Sequence, residues 1–207
     1  MNKTKINSSD RSKSEVKTEA ILKGAMQEFL AHGYAATSMD KVAKTAGVSK
    51  ATVYSHFGDK ENLFSAVIQD LARDKFQTVM GLEQPQSWNE DPQQVLSGMA
   101  TRTIANVKGD RAFQNFIRII IGESGRFPEL AKAYINNLVK PAIETLTEYL
   151  THHPELELDD PEATVRVMIG TLIYYVMLQE MLHGDEILPL QSDRLVNTLT
   201  KMITNFR

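Results

Sequence analysis

Apolar residues recur three and four positions apart through most long segments of this chain, and no segment alternates with period 2 between turn residues. Only a helix of 3.6 residues per turn gathers such a pattern onto one face. An all-α fold follows, and the remaining question is where each helix begins and ends.

The pattern predicts a first helix from about Ser14 to Ala31, with Ile21, Leu22, Ala25, Met26 and Phe29 inward, ending at Gly33. A glycine suits the left-handed residue at a helix terminus. Thr37 and Ser38 are N-cap types, and Asp40, three residues after Thr37, approximates a capping box. The short helix they open turns Met39, Val42, Ala43 and Ala46 inward and stops at Gly47. Ser49 caps a second short helix, Lys50 to about His56, and Asp59 caps a longer one carrying Leu63, Phe64, Val67, Ile68 and Leu71 to about Met80. Gly81–Pro92 reads as a linker. Helices follow near Gln93–Val107 and Arg111–Ser124, and from Pro128 to about Tyr149, where Pro141 predicts a kink or break. An acidic loop, Thr151–Pro161, precedes an apolar helix over Glu162–His183. Ser192 then caps a last helix ending near Phe206. Residues 1–13 are polar and expected to be disordered.

With 207 residues, 42% of them hydrophobic, the chain can bury a real core in one or two domains. It contains no cysteine, which excludes a disulfide scaffold, a thiolate zinc site and a cysteine nucleophile. There is no apolar run of about 20 residues to span a bilayer, and the polar start is unlike a secretory signal. The expected location is cytoplasmic, with no membrane partner. The net charge of -3 is unevenly spread. Residues 1–60 hold ten basic and six acidic groups, for +4, and the remainder sums to -7. A basic head on an acidic body suits a polyanion partner, although chance clustering on a solvated face gives the same sum.

The chemistry concentrates between Met39 and Phe57. Two short helices joined by Gly47-Val48-Ser49 form the helix-turn-helix pattern. The second offers Lys50, Ala51, Thr52, Tyr54 and Ser55 beside a capped, positive helix end. Small residues allow close approach to a groove floor. Lys50 can reach a guanine acceptor or a phosphate, and Thr52, Tyr54 and His56 are of the kind that bond phosphates. Lys60 opens the next helix, where N–H groups favour an anion. A plain helical hairpin, with Tyr54, His56 and Phe57 merely packing, is the competing reading.

The set Ile21-Leu22, Ala25, Phe29, Gly33-Tyr34, Thr37-Ser38-Met39, Val42-Ala43, Ala46-Gly47-Val48-Ser49, Thr52-Val53-Tyr54, His56-Phe57, Lys60-Glu61 and Leu63 resembles the N-terminal domain of the tetracycline-repressor (TetR) family over about residues 15–68. The resemblance implies a homodimeric one-component transcriptional regulator, usually a repressor, with a three-helix DNA-binding domain (14–62) and a helical ligand-binding and dimerisation domain (63–207). Carried onto this sequence, it makes Thr37 and Ser38 phosphate contacts. It makes Ser49, Lys50, Ala51, Thr52 and Ser55 the recognition face, and Tyr54, His56 and Lys60 further backbone contacts. Glu28 and Val42 stand where the family often has an apolar residue and isoleucine, and Ala51 replaces a frequent glycine. Asp40, being acidic, is not expected on the DNA backbone. Arg11 and Lys13 either reach a minor groove or remain solvated. The segment Glu123–Leu130 resembles one subgroup that includes regulators of efflux and quorum-related genes, although a helix junction explains it equally.

The helices over Glu162–His183 and Ser192–Phe206 carry Val165, Ile169, Leu172, Ile173, Val176, Leu195, Leu199, Met202 and Phe206. Two such helices per protomer form a four-helix dimer interface in the arrangement the resemblance implies, with ordinary intrachain core as the alternative. A dimer presents two recognition helices about 34–36 Å apart, or a multiple of it, to palindromic DNA. Candidate walls of an effector pocket are Phe113, Phe116, Ile117, Ile120, Tyr134, Leu138, Tyr174, Tyr175 and Leu178, with Met99, Thr103 and Asn137 adding adaptable or polar contacts. Mostly apolar walls suit a small hydrophobic or aromatic molecule. His152-His153 among four carboxylates matches no metal spacing, and no cofactor loop or catalytic motif is present, so neither a cofactor nor an enzyme is expected. A helical ligand-binding or scaffold dimer with little sequence-selective DNA binding is the other class that fits.

Overall fold

The computed structural model describes the backbone of residues 8–80, 88 and 90–204, and the side chains of 14–73, 75, 88 and 90–204. Within these residues the regular structure is helical: α1 (Ser8–Ala36), α2 (Met39–Thr45), α3 (Lys50–Phe57), α4 (Lys60–Met80), α5 (Pro92–Lys108), α6 (Arg111–Glu123), α7 (Pro128–Tyr134), α8 (Lys140–Thr151), α9 (Pro161–Val176) and α10 (Ser192–Thr204). No helix among them is long and apolar enough to cross a membrane.

Helix α1 starts at Ser8, so residues 8–13, expected in a disordered tail, are helical; residues 1–7 lie outside the described residues. Once a helix is nucleated, adding polar turns costs little. At the other end the chain departs from helical geometry at Gly33 (φ 73°, ψ 173°). The caps behave as their chemistry predicts. Ser38 accepts from Lys41 N at 3.3 Å, Ser49 from Thr52 N at 3.1 Å, and Asp59 from Asn62 N at 2.8 Å. Asp91 caps α5, with Pro92 in its first turn.

Pro141 splits the long segment after Pro128. A π turn over Ile135–Val139 precedes α8, which puts the proline in a first turn where its missing N–H is harmless. The acidic loop is more ordered than its composition suggests. Pro154–Leu156 forms a 3₁₀ turn that buries Leu156 and His153.

Two compact units result, and their boundary differs from the expected break at residue 62. Of the described residues, one unit comprises those up to Leu71 together with Asn115–Tyr134; the other comprises those of Ala72–Gln114 and those from Ile135 onward. The physical reason is aromatic packing in the first unit. Phe64 stacks on Phe116 at 5.0 Å and meets Phe29 and Tyr34 edge-on at 5.0 and 5.3 Å, while Tyr34 meets Phe127 at 5.0 Å. Each such pair adds about 0.5–1.5 kcal/mol beyond burial of area. With Ile21, Ala25, Val42, Val53, Ile120 and Leu130, these rings make one continuous core. The second unit packs α10 against α5 and α8 against α9, around Leu96, Met99, Tyr149, Val165, Met168, Leu172 and Leu199.

Candidate nucleic-acid interface

The turn between α2 and α3 is closed by two backbone bonds, Val48 N to Ala43 O at 3.0 Å and Gly47 N to Lys44 O at 3.2 Å. With Gly47 at φ 67°, this is the double-bonded helix stop that a glycine permits without strain. Helix α3, too short to stand alone, is held by Val53, which is fully buried. That anchor turns the opposite side outward. Ser49, Lys50, Ala51, Tyr54 and Ser55 are exposed and Thr52 is half-buried, so the predicted recognition face is one continuous exposed strip. Tyr54 is 44% exposed. Local bonds fix the small side chains: the Ser49 and Thr52 hydroxyls lie 2.8 Å apart, and Ser55 donates to Thr52 O at 2.9 Å. Lys50 Nζ lies 2.8 Å from Asp40 Oδ1 and 2.9 Å from Oδ2, and 5.6 Å from the centre of the Tyr54 ring. Its hydrogen bond to Asp40 and that carboxylate's charge hold the lysine above its ordinary pKa.

Three predicted contact residues make hydrogen bonds to the backbone of their own unit. Thr37, expected at a phosphate, is 3% exposed. Its hydroxyl points inward, with the carbonyls of Gly33 (2.8 Å) and Glu28 (3.0 Å) as acceptors beside the kink in α1. Neighbouring Ser38 remains exposed. His56 donates through Nδ1 to Thr52 O at 2.8 Å, and its Nε2 is buried without a hydrogen-bond partner among the described residues. The residue as a whole is half-buried. Lys60 Nζ donates to Tyr34 O (2.9 Å), Thr37 O (3.0 Å) and Ala35 O (3.4 Å), so its three protons all point at backbone carbonyls. Burial lowers its pKa, against the Glu123 and Glu61 carboxylates, which raise it. Lys41 likewise turns to Ala36 O at 3.2 Å. Part of the positive charge counted in the sequence therefore holds the unit together.

Other residues matter that the motif did not flag. A Cβ on Gly24 would lie 2.9 Å from the backbone N of Ala46, so α1 touches the turn before α3 directly. Glu28, the departure from an apolar residue, accepts from the Thr45 hydroxyl at 2.6 Å and ties α1 to α2. Gly24 carries no sequence signal, because a glycine inside a helix does not disclose what approaches it.

The expected pocket residues do not gather in one unit. Phe116, Ile117, Ile120 and Tyr134 belong to the first, where Phe116 and Ile120 are core; Met99, Thr103, Phe113, Asn137, Leu138, Tyr174, Tyr175 and Leu178 belong to the second. Burial raises the Tyr134 pKa. Met99 is core, Thr103 bonds its own helix at Met99 O, Phe113 lies under the Lys75 ammonium at 5.1 Å, and Tyr175 donates to Leu190 O at 2.8 Å. Tyr174, expected as a pocket wall, is 60% exposed. A groove of about 820 Å³ in the second unit is lined instead by Ile135, Val139, Ile143, Thr147, Lys140 and Arg166, among others.

The expected dimer residues also divide. Val165, Leu172, Val176 and Leu199 are buried in the chain's own core, and Ile169 and Leu195 are half-buried against it. Ile173 and Met202 are exposed; Phe206 lies outside the described residues. Helix α9 has two apolar stripes, and the outward one adds Val167, 61% exposed, and Tyr174.

The family model of bacterial regulatory proteins, tetR family, matches residues 21–67, and that of the AefR-like transcriptional repressor C-terminal domain matches residues 94–205. The uncharacterized HTH-type transcriptional regulator YhgD of Bacillus subtilis is 44% identical over 54 residues, which are 26% of this chain and 28% of YhgD. The chain thus matches under a third of the length of its curated relatives. Solved structures match almost throughout. A TetR-family transcriptional regulator from Mesorhizobium loti superposes with a TM-score of 0.76 at 25% identity, covering 93% of this chain and 97% of that one. The flavonoid-responsive regulator FrrA gives 0.71 at 26% identity, covering 92% and 96%. With one model spanning the helix-turn-helix and the other more than half of the chain, this protein belongs to the TetR family of bacterial transcriptional regulators.

Proposed function

We propose that this protein is a homodimeric repressor that binds a palindromic operator and is released by a small hydrophobic or aromatic effector. The observation that carries the reading is the exposed strip of α3, from Ser49 to Ser55, held rigid by Val53 behind it and by the glycine-closed turn before it. Ser38, Ser49, Lys50, Ala51, Thr52, Tyr54 and Ser55 form the contact face; Thr37, His56 and Lys60 support it from within. With one lysine and mostly small groups on that face, sparse base contacts and DNA shape share the readout.

The partner surface is the outward stripe of α9, Val167, Ile173 and Tyr174, with Met202 of α10. An exposed apolar stripe on a helix is a signature of association, and a twofold axis would place it against its own copy. The effector acts in the second unit. Support for its class comes from the flavonoid response that the name of FrrA records at 26% identity over most of the chain. An effector releases DNA only through its differential affinity for the two dimer geometries.

The test is titration of a sequence selected from a random duplex library, read by fluorescence anisotropy. Replacing Lys50 by Ala should relax the sequence preference of binding, and Tyr54→Ala should weaken binding to all sequences. Wild-type binding by both variants would place the contact face elsewhere. Sedimentation should show a dimer that Tyr174→Asp dissociates. A parent that ignores every duplex offered would leave a ligand-binding or scaffold dimer.

A further inference from the structure

Lys50 is the one cation placed by the fold on the exposed strip of α3 itself, and, although exposed, it is already paired. Its ammonium is engaged by both oxygens of Asp40, at 2.8 and 2.9 Å, and lies over the Tyr54 ring, 5.6 Å from its centre. Both partners are 60% exposed, and exposed ion pairs contribute little to folding. The fold therefore has little use for this contact, yet it occupies the charge best placed to meet DNA. The carboxylate stands in the first turn of α2, two residues after the Ser38 cap, and reaches the exposed strip of α3.

We propose that Asp40 is a specificity-setting positioning residue, which keeps Lys50 from grasping phosphate and yields it only to a base edge. This rests on the DNA-binding reading above. On duplex of arbitrary sequence, Lys50 can exchange a carboxylate for a phosphate, an exchange of like for like that also strands Asp40 against the DNA backbone. The pair stays closed, and non-specific binding forgoes one phosphate contact. On the operator, a guanine O6/N7 edge held in register by the other contacts of the strip offers Lys50 two acceptors at once, and the pair opens. Asp40 thus subtracts more from wrong sequences than from the right one.

Asp40→Asn keeps the shape of the side chain and removes its charge. With a mixed-sequence duplex as the probe, the variant should bind several-fold more tightly than the parent. The slope of log affinity against log salt should steepen by about 0.9, one added phosphate contact. Affinity for the library-selected duplex should rise less, so discrimination falls. In a Lys50→Ala background the same change should have no effect on slope or affinity. A change in fold stability alone leaves the salt slope where it was. An unchanged slope, or a steepening that persists without Lys50, overturns the proposal, the latter by showing direct repulsion of DNA by Asp40. If the parent binds neither duplex, the DNA-binding reading itself fails. A parent that binds both while Asp40→Asn changes nothing refutes only the role of Asp40.

Discussion

The Lys60 ammonium lies 4.3 Å from the centre of the Tyr34 ring and donates to the carbonyl oxygen of the same residue at 2.9 Å. One side chain thereby joins the first turn of α4 to the last turn of α1, closing the three-helix unit behind the recognition strip. Lys60→Met should lower the free energy of unfolding by about 2 kcal/mol, the loss expected when charge-assisted bonds to partly buried carbonyls are removed. Urea unfolding measures it. A lysine serving phosphate alone would leave the unfolding midpoint unchanged and reduce only DNA affinity.

Thr37 and Ser38, adjacent hydroxyls of similar chemistry, should separate in their effects. Thr37→Val removes the hydroxyl's inward bonds to the carbonyls of Gly33 and Glu28 at a residue 3% exposed and should cost about 1–3 kcal/mol. Thr37→Ser should restore most of it. Ser38→Ala removes the cap of α2, worth about 1 kcal/mol, and also takes a hydroxyl from the proposed contact face. Thermal unfolding beside DNA titration tells the two apart.

Gly24 and Gly47 should fail for different reasons. Alanine at Gly24 drives a methyl to within 2.9 Å of the Ala46 backbone, and helix α1 and the turn before α3 must part. A stability loss of about 1–3 kcal/mol is expected for such overpacking, with DNA affinity reduced beyond what stability explains. Alanine at Gly47 meets no atom within 4 Å, and only the left-handed backbone objects, at about 1–2 kcal/mol. Its variant should keep DNA binding at temperatures where it is folded.

Acid should weaken the second unit through Asp110. Burial works to raise its pKa, and the Lys75 ammonium at 2.8 Å and the Phe113 N–H at 2.9 Å overcome that, leaving it below the ordinary aspartate value. The folded state therefore holds its proton less tightly than the unfolded chain. Stability from this group is complete above the unfolded value near 3.8 and is lost as pH falls through the lower folded value. Asp110→Asn should flatten unfolding free energy against pH in that acid range. A profile parallel to that of the parent would remove the carboxylate from this role.

The helices were legible because their signals are local. Ser38, Ser49 and Asp59 cap as their side chains allow, Gly47 stops α2, and Pro141 follows the π turn that leads into α8. The exposed strip of α3 was legible for the same reason, since Val53 is its one deeply buried residue and the residues around it must face out. Charge was less informative. Lys41, Lys50 and Lys60 all count toward a basic head, yet two bond carbonyls and one bonds Asp40, choices set by neighbours 5 to 26 residues away.

The body shows the limit more sharply. Helix α9 is apolar on two sides, and nothing local ranks Val165, Leu172 and Val176 against Val167, Ile173 and Tyr174. The inward set is decided by where α5, α8 and α10 stand. Likewise Phe116 and Ile120 read as pocket walls until their segment joins Phe64 in the first core. By itself the sequence determined the helical class, the caps and stops, and the family, because these depend on residues within a few turns of one another. Only the tertiary structure decided which face of each helix is buried and which polar groups remain free. Those depend on distant partners competing for the same side chain, and a linear chain does not record the outcome of that competition.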